Sequence, residues 1–218
     1  MLAWIHEFLC PATYIEIGVW AGESLRLAQP PTRAVGIDPT PVVKTSFVAE
    51  TRVFPVSSDE FFQSEAGQSV FDGQGFDLAF VDGSHLFEQV LRDFIHLEPL
   101  ANPGSVVLLH DCIPLDPLTS ERTRSTFFYT GDVWKAVLCL RRNRPDLEMT
   151  IVPAAPSGLC LVRGLDPGSR ILAERFEGLV GQYINVRHSY YLDHLKEMPS
   201  RIPNLREAVR VWCLKTPI

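Results

Sequence analysis

Short apolar runs recur along the first half of the chain: YIEIG at 14–18, RAVGID at 33–38, RVFPV at 52–56, FDLAFVD at 76–82 and GSVVLLH at 104–110. Between them, at about 22–29, 40–49, 58–66 and 84–100, the residues take the spacing of helices. Strands alternating with helices mean βαβ units and a parallel sheet. The runs are nearly continuous in apolar residues, as strands covered by helices on both faces must be. Two more strands are expected at 148–153 (EMTIVP) and 158–163 (GLCLVR). The tight AAPSG link between them predicts a hairpin, so the last strand runs antiparallel. A helix at about 132–143 precedes the hairpin, with Asp132 as its N-cap. Beyond residue 166 the sheet pattern stops. A helix at 169–181, the aromatic stretch QYINVRHSYYLDHLKEM and a helical piece near 203–213 make a helical tail. The expected organisation is α/β: a domain over 1–166 and an extension over 167–218, packed on that domain or at an oligomer interface.

Ligands of such sheets bind at the carboxyl ends of the strands. Read in order, those ends carry Gly18-Val-Trp-Ala-Gly22, then Asp38, then Ser57-Ser58-Asp59, then Asp82-Gly-Ser-His85, then His110-Asp111. Each residue alone has a bland explanation, since an acid at a strand end commonly caps a helix. A row of polar groups along one edge of an apolar sheet is harder to explain that way.

The glycine loop after the first strand sets the ligand. A dinucleotide site wants G-x-G-x-x-G, so that bare backbone and a helix N-terminus can hold a pyrophosphate. This loop lacks that spacing, and Glu16 places negative charge where phosphates would lie. Glu16 suits a cationic amino group, and Asp38 suits a ribose diol, because one carboxylate can accept from two hydroxyls. A ligand with a ribose, an amino acid end and no phosphate is S-adenosylmethionine. Gly18 and Gly22 would let the backbone approach its ribose and methionine portion.

The pieces EIGVWAGESL, VGID, FDLAFVDGSHLFEQVLRDF, PGSVVLLHD and GDVWKAV resemble the class I S-adenosylmethionine-dependent methyltransferases. The likeness is to the branch of sugar O-methyltransferases and cephalosporin-hydroxylase-like proteins, relatives of the catechol O-methyltransferase group, and spans about residues 10–165. The resemblance implies a Rossmann-like, seven-stranded, mostly parallel sheet with the last strand antiparallel. It implies cofactor contacts from Glu16, Gly18, Gly22 and Asp38, with Ser58 or Asp59 near the adenine and Asp82 bordering the same site. In metal-dependent relatives the positions of Asp82 and Asp111 hold metal. His110 stands where many of them have glutamate, and Cys112 where one has an amide.

Two aspartates at neighbouring strand ends with imidazoles beside them would hold a hard cation such as Mg²⁺, with Asp82, Asp111 and His110 as candidate ligands. His85 is the candidate base, because relatives with DGSH use this histidine so and its ordinary pKa suits proton removal. His85, Asp82 and Asp111 are thus the candidate catalytic set, and His96 is expected on the surface. The segment 112–131 is long for a connection and is read as the acceptor lid, with Arg122 and Arg124 as acceptor contacts.

Composition narrows the rest. A net charge of −6 gives no footprint for nucleic acid or an anionic membrane. The N-terminus has no basic region, and Glu7 interrupts its apolar run, so no signal peptide is expected. Five scattered cysteines without a C-x-x-C pair point to a reducing cytoplasm. The expected enzyme is an O-methyltransferase of a small hydroxylated molecule. The rivals are a nicotinamide oxidoreductase on a similar sheet and a non-catalytic binding protein that associates through Tyr190, Tyr191 and the tail helices.

Overall fold

The computed structural model of the chain describes residues 1–71 and 73–215. Among the described residues eight strands form one sheet: β1 Thr13–Ile17, β2 Arg33–Ile37, β3 Glu50–Phe54, β4 Phe76–Val81, β5 Ala101–His110, β6 Glu148–Val152, β7 Leu159–Arg163 and β8 Ser200–Arg201. Their order across the sheet is β3-β2-β1-β4-β5-β7-β6-β8. β7 runs antiparallel to both β5 and β6, and the other pairings are parallel. The helices are α1 Leu2–Leu9, α2 Ser58–Gln63, α3 Glu65–Ser69, α4 Phe87–Leu97, α5 Trp134–Asn143, α6 Ile171–Tyr183, α7 His188–Asp193 and α8 Arg206–Leu214.

Alternate strand positions feed two cores. Ile15, Ile17, Val35, Ile37, Val81 and Val107 pack with α4, α5 and α6 on one face. Tyr14, Ala34, Leu78, Phe80 and Leu108 pack with α1 and α8 on the other. All five β1 positions are buried, whereas the edge strand β3 has none that is. The chain winds outward from β1 to β3 and then returns to β4 on the other side of β1. The carboxyl ends of β1 and β4 therefore flank the switch point, where a crevice opens.

All seven expected strands are present. The eighth is a two-residue pairing of the tail, Thr150 with Ser200 and Ile151 with Arg201, which covers the free edge of β6. Ser-Arg has no alternation to read, so the sequence carries no signal for it. The helices differ more. Residues 22–29 contain only a single 3-10 turn, Leu25–Leu27. Residues 40–49 form no helix. Pro39 and Pro41 bias the residues before them away from helical backbone. The segment instead docks on the glycine loop, through Val42 N–H to the Trp20 carbonyl and Lys44 N–H to the Ala21 carbonyl. The expected 58–66 helix breaks at Ser64, which ends α2 and caps α3 by accepting from Gly67 N–H at 3.0 Å.

Asp132 is not the cap of its own helix. Its Oδ1 accepts from Phe87 N–H at 2.7 Å, so it caps α4 across 45 residues of sequence. Its Oδ2 faces Arg122 and Lys135, each at 2.9 Å. The tail packs on the same sheet: α6 lies against α4 and α5, and α8 against α1. Tyr191 is buried edge-on to Trp134 at 5.5 Å. Tyr190 stacks on His194 at 3.8 Å and accepts from Arg142. Of the aromatic pair expected as an association surface, Tyr191 is thus buried and Tyr190 half-buried. Among the described residues, no helix is long and apolar enough to cross a membrane.

Candidate active site

A cleft of about 1180 Å³ opens along the carboxyl ends of β1, β2, β4 and β5. That exceeds the usual range for one small ligand, about 300–1,000 Å³, and leaves room for a second molecule. Gly18, Asp38, Ser58, Asp59, Asp82, His85, His110 and Asp111 all line it. The fold therefore gathers most of the strand-end array into one cavity.

Gly18 has φ +94, and a Cβ there would lie 2.1 Å from the Asp82 carbonyl oxygen. The glycine permits β1 and β4 to end against each other, so its first duty is to the chain rather than to a ligand. Asp38 then fixes the loop. Its Oδ2 accepts from Val19 N–H at 3.0 Å and Trp20 N–H at 2.8 Å, and its Oδ1 from Thr40 N–H at 2.8 Å. This grip holds Trp20 at φ +41, an uncommon setting for a bulky residue. The indole, 74% exposed, stands on the cleft wall.

Glu16 and Gly22 do not reach that wall. Glu16 shares a face of β1 with Tyr14, two residues before it. Its carboxylate is fully buried and accepts from Tyr14 Oη at 2.5 Å and Ser24 Oγ at 2.7 Å. Burial pushes its pKa up to about 7, although the Tyr14 and Ser24 hydrogen bonds oppose the rise. Ser24, which does line the cleft, stands between Glu16 and any ligand.

At the far end, Ser58 donates to Asp93 at 2.6 Å. Asp59 accepts from Arg92 and His96, both at 3.1 Å. His96, expected on the surface, stacks on Phe62 at 5.2 Å. Gln89 joins the group by donating to Ser58 at 3.1 Å and Asp93 at 3.0 Å. Burial lifts buried Asp93 to about 6 against the pull of Ser58 and Gln89. The expected adenine residues are thereby fixed by three side chains of α4 that sequence reasoning did not select: Gln89, Arg92 and Asp93. Their positions on one helix, at i, i+3 and i+4, were the available signal.

Asp82, His85, His110 and Asp111 form the polar centre. His85 Nδ1 lies 2.8 Å from Asp111 Oδ2 and 3.2 Å from the Tyr129 carbonyl oxygen. Both neighbours are acceptors, which assigns the proton of a neutral ring to Nδ1. Nε2 lies 3.5 Å from Asp82 Oδ1. His110 Nδ1 is 3.0 Å from Asp82 Oδ1 and 3.5 Å from Asp111 Oδ1. Burial lowers both imidazole pKa values, but the aspartates outweigh it, raising His85 and taking His110 to about 10. Burial favours the neutral acid in Asp111, yet the two histidines hold it well below the usual carboxylate range. His85 at φ +58 and Asp111 at φ +55 both occupy left-handed backbone. Such settings cost about 1–3 kcal/mol each and persist where the surroundings over-determine them. The grouping geometrically fit for a cation is Asp82, His85 and Asp111, whose ligand atoms lie within 4.8 Å of one another. His110, the expected third ligand, is not in it.

The segment 112–131 covers this centre, and Arg124, Phe127, Phe128 and Tyr129 line the cleft. Phe127 is 99% exposed. Arg122 does not line the cleft. It pairs with Glu88 through two hydrogen bonds of 2.8 and 2.6 Å and also with Asp132, tying the segment to α4. Arg124 donates to the carbonyls of Thr126 and Phe127 within the segment.

The site therefore combines a Rossmann-like sheet with a glycine loop after β1, an acid after β2 and an acid-imidazole centre after β4 and β5. Residues 15–112 match a family described as a methyltransferase domain. Three similar solved structures are the S-adenosylmethionine complex of the O-methyltransferase TomG from Streptomyces achromogenes, an S-adenosylhomocysteine complex of an O-methyltransferase from Bacillus cereus, and the S-adenosylhomocysteine-bound methyltransferase of Podospora anserina. The first is 18% identical, with a TM-score of 0.56 over 74% of this chain and 76% of that one. The second is 15% identical, with 0.52 over 74% and 77%, and the third 13%, with 0.53 over 74% and 75%. At such identities the likeness establishes the fold alone. No curated protein sequence matches the chain significantly.

Proposed function

We propose that the protein transfers a methyl group from S-adenosylmethionine to a hydroxyl of a small molecule, with His85 as the base. One observation carries the reading: Asp111 holds His85 through Nδ1, which leaves Nε2 as the acceptor beside the cleft. The methyltransferase domain and the cofactor complexes of similar folds support the donor. Gly18, Asp38, Ser58, Asp59 and Asp82 would surround it, with Glu16 and Gly22 backing the loop from behind. S-adenosylmethionine bound there would supply an activated methyl group and leave as the neutral thioether, and His85 Nε2 would take the proton of the acceptor hydroxyl. Asp82 and Asp111 then balance the imidazolium. Little charge needs new stabilisation, so alignment of donor and acceptor does most of the work.

Seven carboxylate residues line the cleft (Glu23, Asp38, Asp59, Asp82, Glu88, Asp93 and Asp111) against two arginines, Arg92 and Arg124, and the two raised imidazoles, His85 and His110. That balance disfavours phosphorylated or carboxylated acceptors. Trp20, Phe127 and Phe128 suit an uncharged acceptor with a flat apolar face, such as one face of a sugar or a secondary metabolite.

A second reading rests on the clustering of Asp82, His85 and Asp111. Two carboxylates and one imidazole suit a divalent cation with mixed ligands, provided His85 releases Asp111. A bound cation there would lower the pKa of the acceptor hydroxyl. Calorimetry with S-adenosylhomocysteine tests the cofactor, and absence of binding refutes both readings. With a competent acceptor, His85→Ala should lower turnover by about 10²–10⁴-fold with little change in cofactor affinity. Since His85 is raised, wild-type activity should climb with pH only above the ordinary histidine range. Activity that persists through exhaustive chelation supports His85 as base, and activity lost to chelation and restored by Mg²⁺ supports the cation.

A further inference from the structure

The base proposed above is held by groups outside its own strand end. His85 starts the turn before α4, yet three residues at or just past the end of the covering segment grip it. The Tyr129 carbonyl faces Nδ1 at 3.2 Å, and the Tyr129 ring stacks on the imidazole at 5.7 Å and 10°. Gly131 lies so close to the His85 backbone that a Cβ would sit 2.0 Å from the His85 carbonyl oxygen. Asp132 N–H donates to that same oxygen at 3.1 Å. The Asp132 side chain caps α4 at Phe87, two residues on, and binds Arg122 of the covering segment. The backbone oxygen and the ring of His85 are thus both engaged by Tyr129, Gly131 and Asp132, around a residue with left-handed backbone.

We propose that Tyr129, Gly131 and Asp132 are positioning residues that set the orientation of His85, so that the segment covering the acceptor and the base move as one unit. The inference rests on His85 acting as the base. Seating of the segment, and not the strand end alone, then brings Nδ1 to Asp111 and frees Nε2. Gly131 is the sharpest probe, because no side chain fits between it and His85.

The test compares Gly131→Ala with Gly104→Ala in the full-length chain. Both glycines have positive φ, +57 and +87, but a Cβ at 104 meets nothing within 4 Å. The control therefore imposes backbone strain without touching His85. Ring ¹⁵N spectra with and without S-adenosylhomocysteine, recorded at a pH alkaline enough to keep the raised His85 neutral, report its tautomer, with the signal assigned by its loss in His85→Gln. Gly131→Ala should lose the single Nδ1–H pattern and give mixed tautomers, while Gly104→Ala keeps the wild-type pattern. Should Gly131→Ala not fold, Tyr129→Leu removes the ring stack with the backbone in place and should shift the same signal. A His85 pattern unchanged in the folded variants overturns the proposal. Cofactor affinity by calorimetry should stay within about threefold in both glycine variants, and a larger loss in Gly131→Ala alone would refute a role confined to His85. If the wild type binds no S-adenosylhomocysteine, the methyltransfer reading fails while the ring spectra still decide whether the segment holds His85.

Discussion

Asp38→Ala separates two jobs that one carboxylate performs. Sequence logic assigns Asp38 to a ribose, whereas the structure adds three backbone donors from Val19, Trp20 and Thr40 at 2.8–3.0 Å. Hydrogen bonds to a charged acceptor contribute about 1.5–3 kcal/mol each. Trp20 and Thr40 are exposed, so water replaces much of what their N–H groups lose, while Val19 is buried and has no such recourse. One full loss and two discounted ones give about 2–3 kcal/mol. For a chain of this length each kcal/mol moves Tm by about 2–4 °C, so the ligand-free variant should melt about 4–12 °C lower. The assay is thermal unfolding by circular dichroism without cofactor, beside calorimetry with S-adenosylhomocysteine. Affinity should also fall, by about ten- to a hundredfold, from the lost ribose contact and the looser loop. Asp38→Asn keeps one oxygen acceptor and should fall between the two. A ligand-free Tm equal to wild type would refute the loop-holding role and leave Asp38 a ligand contact only.

Two further outcomes follow from the same packing. Glu16 has a folded-state pKa of about 7 against an ordinary 4.5, so the folded chain binds its proton more tightly than the unfolded one. Stability from this group is therefore full below about pH 4.5 and is lost as pH rises through 7, by up to about 3 kcal/mol. Glu16→Gln should flatten the Tm–pH curve in that window, and an unchanged slope would mean Glu16 is not held as a neutral acid. Arg122→Ala should free the covering segment from Glu88 and Asp132, so that chymotrypsin cuts after Phe127 or Phe128 several-fold faster. An unchanged cleavage rate would show that the segment needs no such tie.

The sheet was legible because parallel strands covered on both faces must be apolar throughout, and that pattern is local. The seven strands, the antiparallel β7 and the strand-end residues from Gly18 to Asp111 all came from it. The sequence also implied that Asp82, His85, His110 and Asp111 belong together, since neighbouring strands end side by side. Helices were read less well. Spacing at 22–29 and 40–49 suggested helices, but two prolines and docking of 40–49 on the glycine loop won over weak local preference. What a polar side chain faces depends on residues distant in sequence, so no local pattern carries it. Asp132 caps α4 rather than α5 because the chain returns there after 45 residues. Glu16 turned from ligand contact to buried acid because Tyr14 and Ser24 close over it. Arg122 became a tie rather than a ligand contact because Glu88 and Asp132 meet it. The residue types along the strand ends were fixed in one dimension; whether each carboxylate faces a ligand, a backbone or an imidazole was decided only by packing in three.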